Sequence, residues 1–569
     1  MKQENKKLEI FKKVTSMDQE VVDLVTAQNL LPSQGDLVAK FSKIDLPKTI
    51  EMGDRAKVNV KLTNQGSAPV TGPVTVKLYT STDSTIDRAP DGKLVNDCLL
   101  TSTIQQVNLL PGQSTTVRLN YGNMTSVGAP GACNLIAEIN QNNNTKQISK
   151  LVSATGSDVV IDWNATALNA IQAEGKAGRG VPPTVGSRLM AITSLSVYDA
   201  VNAFDRTHTS YAVNTPAPIG ASEEAAAAAA AHKALVTLLP NQTQLFDRQL
   251  ARSLAEIDDT PQAEADGVAF GNFVADTILA SRANDGSSNN APYVPPEGDY
   301  VWRPKTEGPN KGAALGPNWG KVKPFAIPNT AAFAPKGLDG VPGTDRFVQD
   351  LEEVRLLGGK QSTANTTVTR TPDQTEIAIF WADDRADTFR PYGQLNQIAE
   401  EVAMREETTV PENARLFAEL NVALADAGIV AWDAKYNSKV IQPRPDDLIT
   451  GGFGEKKGIS GTVTDPEWEP LLSPTPPFPD YISGHSTFSG AFAGVMTNFF
   501  GDNYSFTAVS QEMPGVTRTY NSFYDAAYED AISRVYGGVH VREATVDDAL
   551  PTGLAVGNFV AQNLFKTVG

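Results

Sequence analysis

Two periodicities divide this chain. From residue 36 to 157 apolar and polar residues alternate in short runs, as in Ala56-Lys57-Val58-Asn59-Val60-Lys61-Leu62 and Val74-Thr75-Val76-Lys77-Leu78-Tyr79. Asn64-Gln65-Gly66, Pro111-Gly112 and Ala129-Pro130-Gly131 interrupt them. A period of two turns successive side chains to opposite faces, and turn residues every ~8–12 positions predict an all-β sandwich. Beyond Asp158 the period becomes 3.6, with Leu189, Ile192, Leu195, Val197, Ala200, Val201 and Phe204 on one helical face. Further helices are expected at 222–239, where Ser222 precedes Glu223 and Glu224, and at 241–257 behind an Asn241 cap. Helical periodicity recurs at 344–357, 373–383, 394–407, 411–436, 485–500 and 541–566, with Gly/Pro-rich joints at 451–480. The Pro/Gly-rich stretch 295–345 predicts a long irregular excursion, of the kind that lines a site or covers a partner. The expected organisation is a helical or loose lead-in over 1–35, a β-sandwich over 36–157, and one large mainly α-helical bundle domain over 158–569.

Length and charge narrow the function. At 569 residues the chain exceeds what one core organises, and 41% hydrophobic with 20% charged residues describes a globular protein. The formal net charge of −17 argues against nucleic acid as a partner, so an anion site has to be a local basic pocket in an acidic molecule. No run approaches the ~18–20 apolar residues of a membrane span. The N-terminal Met1-Lys2-Gln3-Glu4-Asn5-Lys6-Lys7 lacks the apolar region of a signal peptide, so the chain reads as cytoplasmic or as shorn of its leader. Cys98 and Cys133 both fall in the β segment, as a disulfide or as two buried thiols, and exclude a cysteine-based metal site.

The chain has four histidines. His208 and His232 lack chemical neighbours and read as capped or packed core residues. His485 instead follows Ser483-Gly484, and His540 stands six positions after Arg534 in Ser533-Arg534-Val535-Tyr536-Gly537-Gly538-Val539-His540. A tetrahedral oxyanion needs its charge neutralised, which the fork of Arg and the point charge of Lys do best. Lys435, Lys439 and Arg444 supply that charge in the segment Trp432 to Pro445, and Arg534 adds to it. The Ser483 hydroxyl and the Gly484 N–H stand just before a helix that starts near His485, where free N–H groups and the helix dipole favour anions.

A lysine followed by Arg444-Pro445, then Ser483-Gly484-His485, then Ser533-Arg534 with His540, resembles the vanadium-dependent haloperoxidase family. That family shares its site with the type 2 phosphatidic acid phosphatases. The likeness extends to Phe380-Trp381-Ala382-Asp383-Asp384 and much of 158–569. It implies a helical bundle of haloperoxidase type in which Lys435, Arg444 and Arg534, with Ser483 and Gly484, bind the equatorial oxygens of vanadate. It further implies His540 as the axial vanadium ligand and His485 as the acid–base residue at the opposite apex. Hydrogen peroxide, a halide and a small organic substrate are the implied partners, hypohalous acid or halogenated organics the products, and a homodimer the implied assembly.

This chain departs from the family in several places. Lys435 stands nine residues before Arg444 and Lys439 five, where the family has seven; Trp432 favours Lys435. The family aspartate four residues after the last histidine is Ala544 here, leaving Glu543 or Asp547 to orient the ring. Asp384, with Asp383 adjacent, resembles the acidic partner of the second arginine. Phe478, seven residues before His485, resembles the phenylalanine of chloroperoxidases, where bromoperoxidases carry histidine. The same residues also suit a soluble acid phosphatase, with His540 forming a phosphohistidine and His485 protonating the leaving group. In the β segment, Leu78-Tyr79-Thr80-Ser81-Thr82-Asp83 with Leu109-Leu110-Pro111-Gly112 resembles adhesion-type immunoglobulin-like modules appended to bacterial surface enzymes, which leaves secretion open.

Overall fold

The computed structural model describes residues 36–45, 55–81, 97–122, 133–141, 144–152, 158–451 and 461–568, together with Ile86 and Arg88. The expected lead-in over 1–35 lies outside them. The chain divides into two compact units, one containing the strands of the N-terminal third and one containing everything described from Asp158 onward.

Alternation in the first unit produces seven strands: β1 (Leu37–Asp45), β2 (Arg55–Asn64), β3 (Val70–Ser81), β4 (Asp97–Leu109), β5 (Ser114–Gly122), β6 (Cys133–Gln141) and β7 (Asn144–Val152). They form two antiparallel sheets, ordered β1-β2-β5 and β4-β3-β6-β7. Every second residue turns inward, so Val58, Val60 and Leu62 of β2 share one core with Val74, Val76 and Leu78 of β3 and Leu135, Ala137 and Ile139 of β6. The turn at Asn64 is fixed by its buried side chain, whose Nδ2 donates to the Ala68 and Leu109 carbonyls while Oδ1 accepts from Gly66 N–H. Cys98 and Cys133 lie on β4 and β6, which flank β3 on opposite sides. Two strand spacings, about 10 Å, separate their backbones.

The second unit is helical: α1 (Val159–Lys176), α2 (Pro183–Asp205), α3 (Glu223–Leu238), α4 (Thr243–Glu256), α5 (Pro261–Arg282), α6 (Asp345–Gly358), α7 (Pro372–Phe380), α8 (Arg390–Arg405), α9 (Val410–Asn437), α10 (Pro445–Ile449), α11 (Gly484–Phe500), α12 (Phe523–Tyr536) and α13 (Ala549–Asn563). Ser222 caps α3 as its position predicts, its hydroxyl accepting from Ala225 N–H. Asn241 does not cap α4: it sits in a 3₁₀ turn, and its amide donates to Glu174 on α1 instead. The last helix begins later than the periodicity suggests, because the Arg534 carbonyl accepts from both Val539 and His540 N–H and a π-turn over Glu543–Asp547 follows. Among the described residues no helix is long and apolar enough to cross a membrane.

Two features of the packing position the site. A Cβ added at Gly553 or Gly557 of α13 would stand 2.0 and 2.2 Å from the Thr487 and Ala491 carbonyls of α11, so these helices cross backbone to backbone. Deeper in the unit, a polar layer threads the apolar core. Asn164 donates to Asn396 and Glu400, Asn396 to Asn421, and Asn421 to Asn164 and Ser194.

Candidate active site

The last turn of α9 carries Lys435 inward. It is fully buried, and Nζ donates to the carbonyls of Pro479 and Asp480 at 2.9 and 3.2 Å, with the Phe478 ring 4.7 Å away. Burial first, and then the neighbouring Arg444, hold its ammonium well below the usual lysine range. Lys439, two residues beyond α9, is exposed, so of the two candidate lysines only Lys435 enters the site.

Arg444 precedes α10 and is also fully buried. Its Nε donates to the Phe478 carbonyl, and its Nη1 to the Val539 carbonyl and to His540 Nε2 at 2.9 Å. A guanidinium only donates, so Nε2 of His540 is the acceptor nitrogen and the ring proton belongs on Nδ1. Arg534, in the last turn of α12, donates to the Trp381 carbonyl and from Nη2 to Asp384 at 2.6 Å. Asp384 is therefore the arginine's acidic partner. The neighbouring Asp383 is buried with neither carboxylate oxygen partnered, and burial pushes it well above the usual carboxylate range.

Ser483 caps α11, its hydroxyl accepting from Ser486 N–H, and places Gly484 against Trp432, whose ring would stand 2.9 Å from an added Cβ. His485 follows on the first turn. Its Nε2 lies 2.9 Å from the Ala382 carbonyl, which has only lone pairs to offer, so Nε2 carries the proton and Nδ1 is the basic nitrogen. Burial, then Arg534, push the ring down to about 3, so it is neutral near pH 7. Burial followed by Arg444, Lys435 and Arg534 likewise hold His540 well below the imidazole range. The two remaining histidines are half-buried and elsewhere, His232 against Asp247 and His208 beside Thr207.

The carboxylate facing the His540 ring is neither Glu543 nor Asp547. Glu543 accepts from Asp339 and Gly340 N–H, and Asp547 pairs with Arg346. Asp480 is there instead, its Oδ1 2.5 Å from Nδ1. The two atoms are close without the alignment of a well-formed hydrogen bond; both groups are buried, and among the described residues neither atom has another partner. Asp480 lies five positions before His485, on a different motif from the histidine it faces, and sequence spacing gives no sign of the pairing.

The excursion over 295–345 forms the outer wall. Leu315 accepts from Trp432 Nε1 and Tyr436 OH, Lys305 pairs with Asp446 and Asp447 on α10, and Gly337 N–H donates to Tyr481 OH.

The result is a buried cluster of cations at the start of a helix, with the basic Nδ1 of His485 on one side and Nε2 of His540, facing Arg444, on the other. That arrangement sits within a helical bundle. The family model for the second helical-bundle domain of vanadium chloroperoxidase matches residues 415–569, the span that contains every site residue named except Trp381 to Asp384 and the outer wall. The vanadium chloroperoxidase of Curvularia inaequalis is 25% identical over 500 residues, covering 69% of this chain and 80% of that protein. Among solved structures, a bacterial vanadium-dependent iodoperoxidase superposes with a TM-score of 0.59 at 27% identity, covering 71% of this chain and 95% of that one. A holo-type bacterial vanadium-dependent chloroperoxidase, 18% identical with a TM-score of 0.53, shares the fold over 67% of this chain and 92% of its own. Together these similarities support the vanadium haloperoxidase family for the helical unit.

Proposed function

We propose that the helical unit holds vanadate and that the protein oxidises a halide with hydrogen peroxide. One observation carries this reading. Arg444 donates to the acceptor nitrogen of His540, Lys435 and Arg534 act electrostatically on the same ring, and among the described residues Arg444 Nη2 and Arg534 Nε are buried donors with no acceptor. Buried donors without acceptors are costly, and an oxyanion supplies what they lack. The residues fit vanadate: His540 Nε2 would be its protein ligand, and the three cations would offset its charge. Ser483 Oγ–H and Gly484 N–H would complete the ring of donors at the start of α11.

Bound vanadate would supply a Lewis acid that polarises hydrogen peroxide toward attack by halide. The rest falls to the chain. His485, neutral and with Nδ1 free, would take a proton from the peroxide and return it to the departing oxygen. Asp384 orients Arg534 and lies 3.8 Å from the His485 ring, so it steadies both. Trp432, Phe478 and the outer wall would exclude water from the pocket. We also propose that the β unit is an immunoglobulin-like module of adhesion type, on the strength of its two antiparallel sheets around one core.

The test is oxidation of chloride, bromide and iodide by hydrogen peroxide after loading with orthovanadate. Activity with at least one halide, lost in His540→Ala, is expected. Activity no greater than that of His540→Ala would overturn the reading. Vanadate-inhibited turnover of a simple phosphate ester by the unloaded protein would replace it with the phosphatase alternative.

A further inference from the structure

Among the described residues of the helical unit, the fully buried aspartates Asp199, Asp426 and Asp480 look alike in sequence and are used differently. Asp199 on α2 accepts from the N–H groups of Tyr211, Ala212 and Val213. Asp426 on α9 does the same for Phe325, Ala326 and Ile327. Each ties down a returning segment by satisfying three consecutive backbone donors, the usual way a buried carboxylate offsets its desolvation. Asp480 has no such use. Its Oδ2 receives one long contact, from Val541 N–H at 3.5 Å, and its Oδ1 faces only the Nδ1 of His540. A carboxylate this deep, with so little backbone to hold, is placed for the ring.

Arg444 meets the other ring nitrogen, and among the described residues no side chain but Asp480 faces Nδ1. Ala544, where the resembled family carries its aspartate, has no side-chain acceptor, and its carbonyl accepts from Ser483 N–H. The carboxylates of Glu543 and Asp547 are engaged elsewhere. Asp480 is itself fixed by its backbone: its N–H donates to the Gln442 carbonyl at 2.9 Å, and its carbonyl accepts from Lys435. Gln442 lies in the stretch between Lys435 and Arg444, which is two residues longer here than the family spacing. The two departures from the family pattern, the longer lysine-to-arginine interval and the missing aspartate, thus meet at one residue.

We infer that Asp480 is the positioning residue for His540: it keeps the ring proton on Nδ1, so that the Nε2 lone pair faces the oxyanion pocket beside Arg444, and through its carbonyl it sets the lysine and the histidine to a common reference. This rests on the anion-binding reading of the site and adds the residue that aims the ligand. A carboxylate behind a ligating histidine fixes its tautomer and orientation, and its loss weakens binding by about 10–100-fold.

The experiment has two arms, both on the full chain. In the first, ¹⁵N-histidine labelling reads the tautomer of His540, assigned by its disappearance in His540→Ala; with four histidines the spectrum is simple. A neutral ring protonated on Nδ1 is expected, and protonation on Nε2 would overturn the inference without reference to vanadate or to any variant. In the second, calorimetry measures orthovanadate affinity in Asp480→Asn, Asp480→Leu and Asp480→Ala. Asn keeps an acceptor for Nδ1–H and is expected within a few-fold of the parent. Leu keeps the volume without the acceptor and is expected to lose about 10–100-fold, as is Ala. A Leu variant that binds like the parent means the side chain only fills space, and the inference falls. If the parent binds no vanadate but the tautomer is as expected, the haloperoxidase reading fails while the positioning of the ring stands.

Discussion

The helical unit contains two buried polar regions built on opposite terms. In the layer of Asn164, Asn396, Asn421, Ser194 and Glu400, donors and acceptors meet one another, and only one oxygen, Glu400 Oε2, is left over. Around His540, two buried guanidinium donors, Arg444 Nη2 and Arg534 Nε, are left open. Both regions carry desolvation costs. The first recovers them inside the protein and so contributes to the fold; the second defers recovery until something enters, which is how a site differs from a core.

Substitutions that separate the two regions test that contrast. The largest effect is expected at Arg444. Arg444→Met should weaken orthovanadate binding by about a thousandfold, roughly 4 kcal/mol, by calorimetry. The same variant should hold or raise the melting temperature, since it removes a buried cation hydrogen-bonded to carbonyls and an imidazole but to no carboxylate. A variant that loses both affinity and stability would blur the distinction. Asn164→Leu reverses the pattern: denaturant unfolding should show a loss of about 3 kcal/mol, because Glu400 and Asn421 lose partners, with affinity unchanged in the folded protein.

The next effect is set by pH. Glu174 at the end of α1 binds Arg179, Asn241 and Gln242, and is pulled down to about 2, chiefly by its hydrogen bonds from Arg179. Because the folded value lies below the unfolded one, its stabilisation is present above about pH 4.5 and is lost as pH falls toward 2. Arg179 is half exposed, so solvent screening reduces the contribution to about 2 kcal/mol. Glu174→Gln should therefore unfold more easily than the parent at pH 6, and the gap should close near pH 2. A gap independent of pH would mean the side chain acts by packing. The smallest effect is expected at Lys439, where alanine should leave orthovanadate affinity within about twofold of the parent; a larger loss would return this exposed lysine to the site.

These expectations draw unevenly on what the sequence reveals. Strands and most helices were legible because one face of each is buried, which writes a period into the chain. The Ser483-Gly484-His485 and Arg534-to-His540 motifs were legible because a capped helix start and a single turn bring nearby residues together. Asp480 was not, because its contact with His540 joins segments sixty residues apart and depends on where α12 delivers the turn after it. The polar layer was equally silent, since an asparagine in a helical run carries no mark of the three helices it will link. The choice between Lys435 and Lys439 needed the end of α9, which fixes which lysine still lies on the inward face.

The crossing of α11 and α13 has a consequence for how such a pocket changes. Gly490 and Gly494 meet Gly553 and Gly557 with main chain against main chain, leaving no side chains between them to trim or enlarge. The spacing between α11, which carries His485, and α13 is therefore a fixed gauge, indifferent to the ordinary drift of core residues. On the proposed function, selectivity among small anions and halides is expected where the gauge does not reach: in the excursion around Leu315, and in the stretch from Ser438 to Pro443 that leads into Arg444.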